Sequence, residues 1–454
     1  MNSNRIVIIG AGPTGLGCAY RLNKLGYKNW AIYEKEDRLG GLARSFKDKN
    51  GFTWDIGGHV MFSQCRHYNA LADNLLGNDF ISHQRESWIR MLFRWIPYPF
   101  QNNIRYLPKD LMLECLLGLI QAKSNDRKAD NFAQWLFNTF GKGIAKAFLV
   151  PYNTKVWAVP LDTMDYGWVK QRISVLNTEK MLWNIIMRLD EKGWGPNNRF
   201  KFPLYGGTGG FFDKFKPFVN KRIGYKKNVA RVDLASKIIE FDRGGYDKYD
   251  ILVNTVPLDM FVRMIKPVKT DRAYLFKEAD KLKHNGIFVV GIGLKKKIKS
   301  TRCWVYFPQK TSPFYRMTYF SRYSPHNVPE GDTDNYSSLL CEVSFSEYRP
   351  VDESQVIDAV MKGLVREGII SKADTQEIIS KWLKKIDYAY PIPTLGRDIV
   401  LSGIQAFLAE NNIYSRGRFG AWKYEAGNMD HCVMMGIELI DRILLGKKEN
   451  IWKP

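Results

Sequence analysis

Arg5-Ile6-Val7-Ile8-Ile9-Gly10-Ala11-Gly12-Pro13-Thr14-Gly15 is the stretch from which the fold follows. Ile6 to Ile9 is short, fully apolar and β-branched, the pattern of a strand buried on both faces in a parallel sheet. A glycine-rich turn leads from it into the helical pattern Leu16 to Leu25. Gly26 ends that helix, and Trp30 to Tyr33 reads as the next strand. Together they form a βαβ unit opening at residue 5. Each glycine of Gly10-x-Gly12-x-x-Gly15 has a physical reason. Gly10 permits the tight turn, Gly12 lets backbone approach a pyrophosphate, and Gly15 lets helix pack on strand. With Pro13 and Thr14 they open a helix whose free N–H groups face phosphates. Glu34 closes the second strand about 20 residues on, where a carboxylate binds ribose hydroxyls.

Next comes Arg38-Leu39-Gly40-Gly41-Leu42-Ala43. A second glycine pair just after the acidic residue resembles FAD proteins of the glutathione-reductase type, and not simple NAD dehydrogenases. The expected cofactor is therefore FAD, with Arg38, Gly41 and Leu42 beside the first glycine loop. Amine oxidases, protoporphyrinogen oxidase and carotenoid desaturases share this opening, so it leaves the reaction undecided.

The rest of the 454-residue chain, with 45% hydrophobic and 25% charged residues, has ample material for two or three folding units. Its net charge of +22 fits a solvated lysine-rich surface, a cleft that attracts a polyanion, or a nucleic-acid surface. No RNA-binding signature supports the last, and no nucleic-acid partner is expected. The six cysteines lie far apart without a Cys-x-x-Cys pair, which argues against structural zinc or a disulfide framework. No metal is expected. No signal peptide and no apolar run near the roughly 18 residues of a spanning helix is read, so the expectation is a cytoplasmic enzyme without membrane contact.

Residues 105–198 carry helical periodicity over Leu111 to Ile120, Phe132 to Phe140, Gly143 to Val150 and Lys180 to Leu189. Residues 284–350 alternate instead, in Gly286 to Gly293, Cys303 to Phe307, Arg316 to Phe320 and Ser337 to Ser344, which predicts an antiparallel sheet. Ile251 to Thr255 reads as another buried strand, and Glu438 to Leu445 as a closing helix.

Longer motifs narrow the reaction. They are Gly57-Gly58-His59-Val60, Ile96-Pro97-Tyr98-Pro99-Phe100-Gln101-Asn102-Asn103, Pro151-Tyr152-Asn153-Thr154-Lys155-Val156-Trp157, Gly206-Gly207-Thr208-Gly209-Gly210, and Arg416 to Glu425 followed by Gly427-Asn428-Met429-Asp430-His431. In this order they resemble the eukaryotic-type UDP-galactopyranose mutases almost from end to end. The resemblance implies an FAD-dependent isomerase that interconverts UDP-galactopyranose and UDP-galactofuranose. It implies that reduced flavin N5 acts as a covalent nucleophile at the anomeric carbon with no net redox, and that NADPH or NADH is the external reductant. It implies Arg172 and Arg316 at the diphosphate, since forked guanidinium groups suit phosphates. Tyr306, Tyr323, Tyr390 and Tyr424 match residues at the pyrophosphate or sugar. Tyr98, Phe148, Asn153 and Trp157, with Gln101 beside them, match the uracil side, and Phe100, Asn197 and Trp304 further substrate contacts. Gly57, Gly58 and His59 match a loop against the flavin ring. Arg418, Gly427, Asn428 and Met429 match the ribityl and pyrimidine end, and Val229 the adenosine end.

The chain departs from the family where Met429 replaces the common glutamine, where Gln64 replaces a histidine of fungal members, and in a shorter stretch between Asn327 and Ser337. The oligomeric state is left open. The resemblance implies an α/β architecture: a Rossmann-type FAD-binding domain of residues 1–83, 209–283 and 376–454, an inserted helical domain of residues 105–198, and an antiparallel β-sheet domain of residues 84–104, 199–208 and 284–375. The alternative is a flavin oxidoreductase of the amine oxidase kind, which would consume an electron acceptor with its substrate.

Overall fold

Ile6–Ile9 lies at the centre of a five-stranded parallel sheet, in the order Ile413–Ser415, Ile251–Asn254, Ile6–Ile9, Trp30–Tyr33 and Ile223–Gly224. The structure, a computed structural model, describes residues 4–123, 128–173, 177–191, 195, 197–266 and 272–452. Both faces of the sheet are covered, which is why the central strand has no polar position. Ile6 and Ile8 pack with Leu16, Leu22 and Val433, from helices Pro13–Lys24 and Met429–Leu445. Val7 and Ile9 pack with Phe261, Leu401 and Ile404, from helices Leu258–Met264 and Arg397–Glu410. The first and last of these helices in the chain, Pro13–Lys24 and Met429–Leu445, touch backbone to backbone. A Cβ at Gly17 would lie 2.1 Å from the Val433 carbonyl oxygen. The closing helix thus begins nine residues earlier than its apolar periodicity suggests, at Met429.

The second sheet has seven strands, in the order Ile378–Pro391, His284–Leu294, Ser337–Phe345, Arg316–Tyr319, Trp304–Tyr306, Ser87–Met91 and Arg94–Pro97. It is antiparallel except for one pair: Trp304–Tyr306 runs parallel to Ser87–Met91. The expectation of a wholly antiparallel sheet is corrected there, because the two strands come from distant parts of the chain and no hairpin constrains their direction. Ile378–Pro391 lies in the range expected for the FAD-binding domain, yet pairs along His284–Leu294. Arg199–Pro203 joins Phe80–Gln84 in a separate ribbon rather than the large sheet.

The helical segment holds Lys109–Lys123, Phe132–Ile144, Val150–Trp157 and Thr178–Ile186. Gly141, with φ 73°, breaks the second of these where the sequence predicts a gap. From Ala145 to Leu149 the chain makes a π-helical turn and then continues helical to Trp157, past the expected end at Val150. Pro151 does not stop it: the residue stands directly after the π-helical turn, where the regular i→i−4 ladder is already interrupted. Among the described residues no helix is long and apolar enough to cross a membrane.

Candidate active site

At one end of the site the two glycine loops interlock. Gly10 has φ 94°, and a side chain there would meet Thr255 Oγ1 at 2.5 Å. A Cβ at Gly15 would stand 1.9 Å from the Gly10 carbonyl oxygen. Gly12 differs: the one atom near its Cβ position is Gly41 Cα at 3.7 Å, which leaves open space over the backbone. The Gly40 N–H donates to the Ala11 carbonyl at 2.9 Å and ties the second loop to the first. Glu34 is buried, and its carboxylate accepts from the Ala11 N–H at 2.7 Å and the Glu36 N–H at 3.0 Å. Leu42 is half-buried next to this turn, whereas Arg38 is exposed, paired with Asp37 at 2.9 Å over the Phe46 ring. Val229 is packed in the core, so its side chain is not open to a ligand.

Gly57-Gly58-His59 follows Asp55, a buried carboxylate that holds the loop's origin. Thr208 donates to it through Oγ1 at 2.6 Å and through its N–H, and Ser45 donates as well. Burial raises Asp55 to about 6, against these hydrogen bonds. The Gly58 N–H donates to Glu342 Oε1 at 3.1 Å. A Cβ at Gly58 would meet Thr318 Oγ1 at 2.6 Å. His59 is only partly accessible. Burial lowers it to about 4, Glu342 opposing and Arg316 and Arg418 adding, so the ring is neutral at physiological pH. His59 Nδ1 and Thr318 Oγ1 are both buried without a hydrogen-bond partner among the described residues.

Glu342 is the hub that sequence reasoning missed. It stands in Ser337–Phe345, otherwise an apolar and small-residue strand, and a glutamate there was the available signal. Its carboxylate accepts from Arg316 at 2.6 and 2.9 Å, from Tyr315 Oη at 2.5 Å and from the Gly58 N–H. Tyr315 Oη in turn lies 3.1 Å from Tyr390 Oη. Tyr390 continues to Tyr424, with ring centroids 5.8 Å apart, and Trp157 packs edge-on against both. Arg418 lies over Tyr390 at 4.9 Å and donates to the Gly427 carbonyl at 3.0 Å. Arg172 lies over Tyr424 at 4.8 Å and donates to Asn428 Oδ1 at 3.1 Å and the Glu425 carbonyl at 3.0 Å. Asn428 precedes the first residue of the closing helix, Met429, and makes no side-chain cap, so the helix start keeps free N–H groups.

A second run of aromatic rings borders this cluster. Tyr306 lies 5.3 Å from Tyr98 and 5.2 Å from Tyr152. Tyr152 stacks on Phe148, and Phe148 on Phe100. Burial holds the phenols of Tyr98, Tyr152, Tyr306, Tyr315, Tyr323 and Tyr390 above their usual value, so they serve as neutral donors. Asn197 accepts from Arg85, whose guanidinium lies 5.3 Å over Tyr98. Trp304 packs near Phe200, and Tyr323 Oη is buried without a partner among the described residues. Gln101 is buried beside Phe100. Asn153 turns its amide back to the Leu149 carbonyl at 2.8 Å, and Phe100 and Phe148 are core residues packed on each other. These three are less free to meet a ligand than the tyrosines. A separate cavity of about 470 Å³, lined by residues such as Lys281, Tyr348 and Leu395, includes none of these side chains.

The open backbone at Gly12, the buried carboxylate of Glu34 and the partnerless His59 Nδ1 fit a dinucleotide whose ring system ends at the Gly57–His59 loop. The chain matches the flavin containing amine oxidoreductase family over residues 13–444. The 15-cis-phytoene desaturase of Solanum lycopersicum is 24% identical over 79% of this chain and 64% of its own length. Protoporphyrinogen oxidase 2 of Arabidopsis thaliana is 35% identical over 16% of this chain and 14% of its own. The chain thus matches less than two thirds of either protein. Among solved structures, a putative protoporphyrinogen oxidase from Exiguobacterium sp. 255-15 shares the fold at TM-score 0.74 and 16% identity, with 98% of this chain and all of the other covered. The crystal structure of a reduced UDP-galactopyranose mutase superposes at TM-score 0.95 and 42% identity, with 99% of this chain and 95% of that one covered. By the extent of both matches, the chain is an enzyme of the flavin containing amine oxidoreductase family and, within it, belongs to the UDP-galactopyranose mutases.

Proposed function

We propose that this enzyme interconverts UDP-galactopyranose and UDP-galactofuranose on FAD held in its reduced form. The observation that carries the reading is the charge of the tyrosine cluster. Three guanidinium groups, Arg172, Arg316 and Arg418, gather around Tyr315, Tyr390 and Tyr424, and the carboxylates beside them are already paired, Glu342 with Arg316 and Glu425 with Arg397. Such a lining attracts a diphosphate and repels the cationic amine that an amine oxidase binds.

Gly10, Gly12, Pro13, Thr14, Gly15 and Glu34 would hold the pyrophosphate and ribose of FAD. Gly57 to His59, Arg418, Gly427, Asn428 and Met429 would border its ring. Met429 would contribute its backbone N–H, since a thioether donates nothing. Bound and reduced, FAD supplies a nucleophile at N5 and no net redox change. Arg172 and Arg316 hold UDP while the bond from its diphosphate to the sugar's anomeric carbon is broken and remade, so the same UDP returns. The hydroxyls of Tyr306, Tyr323 and Tyr390, which burial keeps protonated, donate to diphosphate and sugar oxygens. Neutral His59 neither repels nor protonates the ring, and orients it by hydrogen bonding. NADPH or NADH would be the reductant.

Protein reduced with dithionite, given UDP-galactofuranose, forms UDP-galactopyranose detectable by chromatography, and the fully oxidised protein forms none. Equal turnover by the oxidised protein, or oxygen consumption in step with substrate loss, refutes the reading.

A further inference from the structure

The face where the helical segment meets the large sheet is held by polar ties that the reaction does not use. Helix Val150–Trp157 ends with Ala158 in the left-handed region, and its last carbonyls lack partners within the helix. Side chains from strand His284–Leu294 and from the turn after Ser337–Phe345 supply them. Arg349 donates to the Lys155 carbonyl at 3.0 Å, Asn285 to those of Val156 and Trp157 at 2.9 Å each, and Ser346 to that of Ala158. In the other direction Lys155, a residue only 5% exposed, donates through its ammonium to the carbonyls of Phe307, Gln309, Ser312 and Phe314 at 2.7, 3.0, 2.9 and 2.7 Å. Three N–H bonds shared over four carbonyls make a cage that only a cation fills well. Arg349 reaches the same loop, donating to the Pro313 carbonyl at 3.1 Å.

The loop so held joins Trp304–Tyr306 to Arg316–Tyr319. On one side of it stands Tyr306, and on the other Tyr315 and Arg316. The helix that bears Lys155 carries Tyr152, Asn153 and Trp157. One buried ammonium therefore fixes the two walls of the cleft against each other. Burial and the Arg349 guanidinium both favour loss of its proton, and Glu367 opposes them. The four carbonyl dipoles add to that opposition.

We propose that Lys155 is a positioning residue for the nucleotide-sugar cleft: its ammonium cage sets the spacing between the helix 150–157 wall and the Tyr306–Arg316 wall. The proposal rests on the UDP-sugar reading above. Its distinguishing consequence is that UDP affinity depends on Lys155 while FAD binding, which belongs to the parallel sheet, does not.

The test is calorimetric titration of UDP into FAD-loaded wild type, Lys155→Met and Lys155→Ala. Both variants should keep FAD and bind UDP about tenfold or more weakly, about 1.4 kcal/mol. Methylammonium chloride should restore part of the affinity of Lys155→Ala, whereas sodium chloride at equal ionic strength should not. Wild-type UDP affinity in Lys155→Met overturns the proposal, as does a loss that tracks FAD loss and no cation repairs. If neither variant folds, Arg349→Met is titrated instead: about threefold weaker binding supports the seam, and unchanged binding overturns it. A wild-type protein that does not bind UDP sinks the substrate reading and this proposal with it.

Discussion

The glycine cradle and the tyrosine–arginine cleft are built on opposite principles. In the cradle, Gly10 to Gly15, Glu34 and Gly40 are near in sequence and bond to one another directly. Its geometry is steric: there is no room for a Cβ at Gly15, and there is unfilled room over Gly12. The cleft draws on Gly58, Tyr152, Arg172, Arg316, Glu342, Tyr390 and Tyr424, which only the tertiary fold brings together. Its geometry is electrostatic, with Glu342 as the point where several donors meet. The first region should fail as a unit and take the cofactor with it. The second should lose activity step by step with the cofactor still bound.

The largest effect follows from Gly15→Val. The new Cβ would stand 1.9 Å from the Gly10 carbonyl, so helix and strand must separate. We expect no folded, flavin-coloured protein, judged by soluble yield and visible flavin absorbance. A yellow, stable Gly15→Val protein would show that the cradle is not steric.

Glu342→Leu should be the most damaging change in the cleft, because it strands Arg316 against an apolar side chain. Removing one partner of a buried pair costs about 3–5 kcal/mol, and Arg316 keeps some access to water, so about 3 kcal/mol is the expected loss. Adding Arg316→Met should restore most of the thermal stability and none of the activity. If the double variant melts no higher than Glu342→Leu, the pair is not the source of the loss.

Arg316→Lys is the next smaller change. Arg316 meets Glu342 through two of its nitrogens, and its remaining Nη1 has no partner among the described residues. Guanidinium can hold the carboxylate and still present an N–H to a phosphate, whereas a lysine ammonium cannot span both. We expect kcat/KM to fall about tenfold or more, roughly 1.4 kcal/mol, with FAD content unchanged. Wild-type kinetics would remove Arg316 from the diphosphate.

The contrast also explains what the sequence made legible. Ile6–Ile9 needs no polar face because helices cover both sides of it, so a run of β-branched residues before three spaced glycines identified strand, turn and helix at once. The motifs of the cleft were visible as words, and the structure brings Arg316, Tyr390, Tyr424 and Arg172 into one connected cluster. Their connection was not visible. Glu342 and Lys155 are single charges in otherwise ordinary segments, and burial alone gives them meaning. Trp304 pairing in parallel with Ser87 could not be read from either strand, since register across distant segments leaves no local pattern. The strand Ile378–Pro391 escaped notice because its lysines interrupt the alternation on a half-exposed outer strand.

The smallest effect separates two buried groups of the Gly57–His59 loop by pH. His59 is lowered to about 4 by burial, and Asp55 is raised to about 6 by the same cause. The signs oppose. The unfolded chain protonates its histidine near 6.5 while folded His59 stays neutral down to about 4, so His59 costs stability as pH falls through that window. Folded Asp55 takes its proton near 6, above its unfolded value, so it adds stability over much of the same fall and loses it as pH rises through 6. In the wild type the two partly cancel between pH 4 and 6 and hide each other. His59→Gln cannot be protonated, so its melting temperature should drop less than the wild type's between pH 7 and pH 5. Asp55→Asn should drop more, since the acid-side gain is gone while Thr208 can still donate to the amide oxygen. The difference between the two variants, read by thermal melts of FAD-loaded protein at both pH values, isolates the two groups from the other carboxylates. Identical pH slopes for both variants would mean that neither side chain is held in the state its burial dictates, and the proposed role of a neutral His59 at the ring would fall with it.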